Sequence, residues 1–128
     1  MYAQKTGINS NSFLGYRNEK IDIIIPAYNE EARIMPVLND IIDFIKENNL
    51  LWRIIVSIDG NDHTRDMVSK LKDEYNFILI SESNKRSGKG SAIKRTISML
   101  DSDYVILMDA DNSINFAIIL ENLENGLK

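Results

Sequence analysis

Beyond residue 20 the chain alternates short, almost unbroken apolar runs with segments of helical period, and no other feature narrows the fold as far. Residues 21–25 are rich in Ile and predict a strand that stops at Pro26. Val37, Leu38, Ile41, Ile42 and Ile45 then fall on one helical face, with Pro36 near the first turn and Asn48-Asn49 at the end. Residues 51–58 predict a second strand, broken by Gly60. Asp62 or Thr64 is placed to cap a helix carrying Met67, Val68 and Leu71 inward. A short third strand is expected over 77–80. A helix over 88–100 would show Ala92, Ile93, Ile97 and Leu100 on its apolar side. Residues 104–108 predict a fourth strand. A last amphipathic segment starts near Asn115, with Phe116, Ile119, Leu120 and Leu123.

This is β-α-β-α-β-α-β-α. Near-continuous apolar strands separated by helices imply an α/β fold, an open and mostly parallel sheet with helices on both faces. Right-handed crossovers leave few topologies, of which the commonest, Rossmann-like, orders the strands 3-2-1-4. The 128 residues make one domain. Residues 1–19, polar and rich in Asn, Ser and Gly, read as a flexible arm, and residues 20–128 as the folded part. With 15 basic and 19 acidic residues the net charge is −4, which argues against a nucleic-acid surface. The absence of cysteine excludes a disulfide scaffold, a thiolate zinc site and a Cys nucleophile. No apolar stretch approaches the ~20 residues of a membrane span, and the first 20 residues lack the apolar core of a secretory signal. A cytoplasmic location is expected.

In open sheets of this kind ligands bind beyond the carboxyl ends of the strands, where the strand order reverses. Three polar clusters fall there. Pro26-Ala27-Tyr28-Asn29-Glu30-Glu31 follows strand 1, Asp59-Gly60-Asn61-Asp62 follows strand 2, and Asp109-Ala110-Asp111-Asn112-Ser113 follows strand 4. Glu30, Asp59, Asp109 and Asp111 would converge on one crevice. So many carboxylates repel one another unless something positive sits among them, and a divalent cation is the simplest answer. Asp109-x-Asp111, in a turn after a rigid strand, suits Mg²⁺ or Mn²⁺ shared with substrate phosphates.

Gly88-Lys89-Gly90 opens a helix, where free N–H groups favour an anion. It is not a Walker A loop, because Ser83 and Gly90 stand where that motif needs Gly and Ser or Thr. Nor is it a dinucleotide fingerprint, because Ile93 takes the third glycine position. Either Lys89 reaches a ribose, base or phosphate from the strand-3 flank, or Lys85, Arg86 and Lys89 form only a basic helix start. Tyr28 either stacks on a base or packs as a half-buried aromatic. His63, the sole histidine, reads as a solvated first-turn residue, and Trp52 and Phe77 as core.

These residues resemble the family 2 glycosyltransferases, which have the GT-A fold. Residues 21–30 are similar to that family's opening strand and loop, 58–64 to its acidic turn, 86–92 to its basic glycine segment, and Asp109-Ala110-Asp111 to its D-x-D motif. The four agree in order and spacing from residue 20 to about 113, and the subgroup most resembled is the dolichyl-phosphate-mannose synthase type. The resemblance implies that Pro26, Tyr28 and Glu30 contact the nucleotide, with Tyr28 near the base. Asp59 would bind base or ribose. Asp109 and Asp111 would carry the chemistry, Asp109 on ribose, metal or both and Asp111 on the metal bridging the diphosphate. Ser113 stands where the subgroup has a metal-assisting Gln, and Ile58 where the family usually has a second aspartate.

The implied function is inverting, metal-assisted transfer of a sugar from a UDP- or GDP-sugar to a polyprenyl phosphate or glycan. The family domain continues past D-x-D through the acceptor site, so this chain would hold the donor half, with a membrane-associated full-length protein. Ile118 and Ile119 would then lack cover, which predicts homodimers or larger association. The alternative is a non-catalytic nucleotide-sugar binding module or an inactive fragment. A nucleotidyltransferase ranks below both, because the loop after strand 1 has no glycine.

Overall fold

A computed structural model describes residues 19–83 and 85–110. The arm expected over residues 1–18, the sites expected at Asp111 and Ser113, and the last amphipathic segment lie outside the described residues. The elements are β1 (Ile21–Tyr28), α1 (Ile34–Asn48), β2 (Trp52–Asp59), α2 (Thr64–Glu74), β3 (Ile78–Ser83), α3 (Lys89–Arg95), a 3₁₀ turn (Ile97–Met99) and β4 (Tyr104–Leu107). Every strand pairing among the described residues is parallel, and the order is β3-β2-β1-β4, as the sequence predicts.

Side chains alternate across a strand, so the sheet has two unlike faces. One carries Ile21, Ile23, Ile25 and Ala27 of β1 and Trp52, Ile54, Val56 and Ile58 of β2. These pack against the apolar stripe of α1 and against Val68 and Leu71 of α2. The other face carries Asp22, Ile24 and Pro26 beside Arg53, Ile55, Ser57 and Asp59. α3 covers it, with Ser57 Oγ donating to the Ala92 carbonyl at 2.7 Å. Both central strands are thus covered on both sides, which is why their sequences read as continuous apolar runs rather than alternating ones.

α1 ends as its sequence predicts. Asn49 takes the left-handed conformation (φ 51°), and the Leu50 N–H closes onto the Ile45 carbonyl. A side chain of Asn is among the few that tolerate that backbone.

Three expected boundaries move, the simplest being the end of β3, which runs on to Ser83 rather than 80. Pro26 does not stop β1, which runs on to Tyr28. Ile24 gives its carbonyl to the Met108 N–H, so the residue two further on faces the same edge. β4 has ended there, and the donor that proline lacks would have met no ladder partner. The helix expected over 88–100 ends at Arg95, and only Ala92 in it is buried. From there Thr96, Met99 and Leu100 donate to carbonyls three residues back, the tighter 3₁₀ pattern. Thr96 Oγ1 also donates to the Ile93 carbonyl at 2.6 Å. Ile97 is consequently 60% exposed rather than apolar-facing.

Candidate functional site

The carboxyl ends of β1 and β2 and the start of α3 enclose a crevice of about 160 Å³. Pro26, Tyr28, Glu30, Asp59, Arg86 and Lys89 are among the residues that line it. Five sequence-predicted site residues, Pro26, Tyr28, Glu30, Asp59 and Lys89, therefore meet in one place. Asp109 joins them through Lys89, whose Nζ lies 2.7 Å from Asp109 Oδ1.

Tyr28 is 40% exposed and is held from two directions. Gly60, at φ +89°, stands so close that a Cβ there would lie 3.2 Å from the tyrosine ring. Glycine is required both for that backbone and for that approach. The Arg86 guanidinium lies over the same ring, 4.7 Å from its centroid.

Asp59 is buried at the end of β2, and both its oxygens are engaged. Oδ2 accepts from the Ser87 N–H and the Ser87 hydroxyl, each at 2.9 Å. Oδ1 meets Arg95 Nη2 at 2.9 Å. Burial pushes the carboxyl up, but the Ser87 and Arg95 bonds outweigh it and hold it below the usual carboxylate range. Arg95 also donates to Ser81 Oγ, Ser87 Oγ and Ser57 Oγ. Ser57 and Ser81 are register partners on β2 and β3. Together they make a polar floor that ties the 85–89 segment to the strand ends.

Of the remaining carboxylates, Glu30 is neutralised by a basic side chain and Asp62 is held by loop donors. Glu30 accepts two bonds from Arg33. Asp62 accepts from the Thr64 N–H and hydroxyl and from the Glu31 N–H, joining the loops after β1 and β2. Crowding of carboxylates, from which the sequence predicts a cation, is thus relieved among the described residues by Arg33, Arg95 and Lys89. No group of three or more His, Asp or Glu able to hold a metal occurs among the described residues. Asp109 nevertheless suits one as a hard oxygen donor, 57% exposed at the lip of the crevice.

The glycine segment is not on the β3 flank, where the sequence predicts it. α3 packs over β1 and β2, and Lys89 reaches across to the end of β4. His63 is exposed, and the Asp66 carboxylate is 3.8 Å away on the same helix turn, in line with a solvated residue. Trp52 is 1% exposed, a core residue as expected.

Sequence reasoning missed Arg95, Ser57, Ser81 and the structural role of Ser87. One signal was present: Ser57 interrupts an apolar run between Val56 and Ile58, and a hydroxyl in a buried strand needs a partner.

Comparison with known proteins agrees with this fold. The family model described as glycosyl transferase family 2 matches residues 22–124. A dolichyl-phosphate beta-glucosyltransferase of Trichomonas vaginalis is 32% identical over 110 residues, covering 80% of this chain and 34% of that protein. Its Saccharomyces cerevisiae counterpart is 31% identical over 104 residues, covering 76% of this chain and 31% of that protein. The chain thus spans about a third of the length of these relatives. Among solved structures, glucosyl-3-phosphoglycerate synthase of Mycobacterium tuberculosis, determined with Mn²⁺, UDP and phosphoglyceric acid, superposes with a TM-score of 0.64. It is 23% identical and covers 95% of this chain and 42% of its own, a likeness of GT-A fold.

Proposed function

Given that the chain belongs to glycosyl transferase family 2, we propose that its crevice binds the nucleoside-diphosphate part of a sugar donor, UDP- or GDP-linked. The protein it serves transfers that sugar, with inversion, to a polyprenyl phosphate. One observation carries this reading: Tyr28, Glu30, Asp59, Arg86 and Lys89 line a single crevice at the carboxyl ends of β1 and β2. An aromatic ring, two cations and carboxylates in one cleft match a base, a diphosphate and a ribose. The relatives named as dolichyl-phosphate beta-glucosyltransferases support the acceptor class.

Tyr28, fixed by Gly60, offers the base an apolar surface. Arg86 and Lys89 supply positive charge for the diphosphate. Asp59 acts by holding Ser87, and with it the segment that bears both cations. The crevice orients the donor so that its anomeric carbon faces the incoming acceptor oxygen. Asp109, with Asp111 and Ser113, would hold Mg²⁺ or Mn²⁺, which would neutralise charge on the departing diphosphate. A phosphate acceptor is already anionic and has little need of a strong base.

Calorimetric titration of UDP, GDP and ADP, each with and without Mn²⁺, tests the reading. Saturable binding of UDP or GDP, strengthened by Mn²⁺, is expected. Equal, weak binding of all three, unaffected by Tyr28→Ala, would overturn it.

A further inference from the structure

We propose, resting on the donor-site reading above, that Lys89 is a resident counter-cation of Asp109 that changes partner when the donor binds. In the empty crevice Lys89 neutralises Asp109. In the loaded crevice it faces the diphosphate and leaves the carboxylate to an incoming cation.

Three observations carry this. The first is position. Lys89 lines the crevice, and its ammonium lies 2.7 Å from Asp109 Oδ1, so one side chain serves both the cleft and its lip. The second is the weakness of the bond. The side chains of Lys89 and Asp109 are 63% and 57% exposed, and they are joined by one contact. A pair so exposed is readily exchanged. The acid–base pairs at Glu30 and Asp59 are built otherwise: Arg33 gives Glu30 two bonds, and Asp59 is 3% exposed with both oxygens engaged. The third is freedom to move. Lysine carries a compact charge on a flexible stem, unlike the planar fork of arginine. Gly88 and Gly90 flank it, and nothing lies within 4 Å of where a Cβ would stand on either.

Lys89 and a divalent cation then compete for one carboxylate, and Asp109 and a diphosphate compete for one ammonium. The two competitions predict effects of opposite sign. Lys89→Met should tighten binding of Mn²⁺ alone by about threefold, because the resident cation is gone, while weakening binding of UDP and GDP in EDTA. Asp109→Asn should tighten metal-free UDP and GDP binding by about threefold, because Lys89 is released. That second gain should vanish in the Lys89→Met, Asp109→Asn double variant.

The experiment is a double-mutant cycle on the 128-residue chain. Mn²⁺ affinity is read by electron paramagnetic resonance and metal-free nucleotide affinity by calorimetry, with circular dichroism to verify folding of each variant. A gain from Asp109→Asn that persists without Lys89 would mean simple relief of repulsion and would overturn the exchange. So would Mn²⁺ affinity that is unchanged or weaker in Lys89→Met. Both outcomes leave the donor site standing. Absence of UDP and GDP binding in every form, with and without Mn²⁺, would overturn the donor site and the exchange together.

Discussion

The face of the sheet under α3 carries two part-buried aspartate–arginine pairs, one at each end, and they differ in what surrounds them. At the amino end Asp22, 1% exposed, accepts two bonds from Arg53 and a third from the Asp101 N–H. Arg53 also donates to the Met99 carbonyl. That pair fastens the segment leading into β4 to the central strands. At the carboxyl end Asp59 and Arg95 fasten the 85–89 segment to the strand ends, and the crevice opens beside them. The same chemistry thus closes one end of the face and steadies a site at the other. A part-buried ion pair by itself is no sign of function; the loop it holds decides.

The largest effect expected is at the closed end. Asp22→Asn leaves Arg53 partly buried without its counter-charge and should lower stability by about 3 kcal/mol, read by urea unfolding, with nucleotide affinity unchanged. A loss of affinity at full stability would erase the distinction between the two ends. Asp59→Asn should cost about 2 kcal/mol and also weaken UDP or GDP binding about tenfold, as the 85–89 segment loosens. Loss of stability alone would make the two pairs equivalent.

Acid distinguishes these variants from the parent chain. Hydrogen bonds hold the Asp22 and Asp59 carboxyls below their usual value against the opposing effect of burial. Their stabilisation is therefore complete above the unfolded-chain value, about 4, and is lost as pH falls through the lower folded values. Stability of the parent chain should drop below about pH 4, and the drop should be shallower in Asp22→Asn. Parallel pH curves for the two would contradict this.

Gly60→Ala should cost about 1–2 kcal/mol, since it combines a left-handed backbone with a crowded Cβ against Tyr28. Nucleotide affinity should fall with it, while the Asp22 end stays intact by hydrogen exchange. The smallest effect expected is that of Arg86→Ala, about 0.5 kcal/mol in stability, because its contact with Tyr28 is exposed. A larger loss by thermal melting would show that Arg86 belongs to the fold.

Strand and helix identities, the order β3-β2-β1-β4 and the grouping of Pro26, Tyr28, Glu30 and Asp59 were all legible in the sequence. These follow from period, turn residues and crossover handedness, which act over a few residues or apply to every parallel sheet. Asp22 is one polar residue in an apolar strand and Arg95 falls inside the helix expected over 88–100, so neither stands out in the sequence. Their partners lie at Arg53 and Asp59, 31 and 36 positions away along the chain.

Tertiary structure alone decided which cation meets Asp22, Asp59 and Asp109, whereas Glu30 and Arg33 pair three residues apart. Lys89 faces Asp109 because α3 packs over β1 and β2, which sets its first residue beside the end of β4, and Pro26 stays in β1 because β4 ends beside it. Periodicity is a property of neighbours in the chain and survives in the sequence. An ion pair between residues distant in the chain requires about 3 Å between groups brought together by packing, and no local pattern encodes that distance.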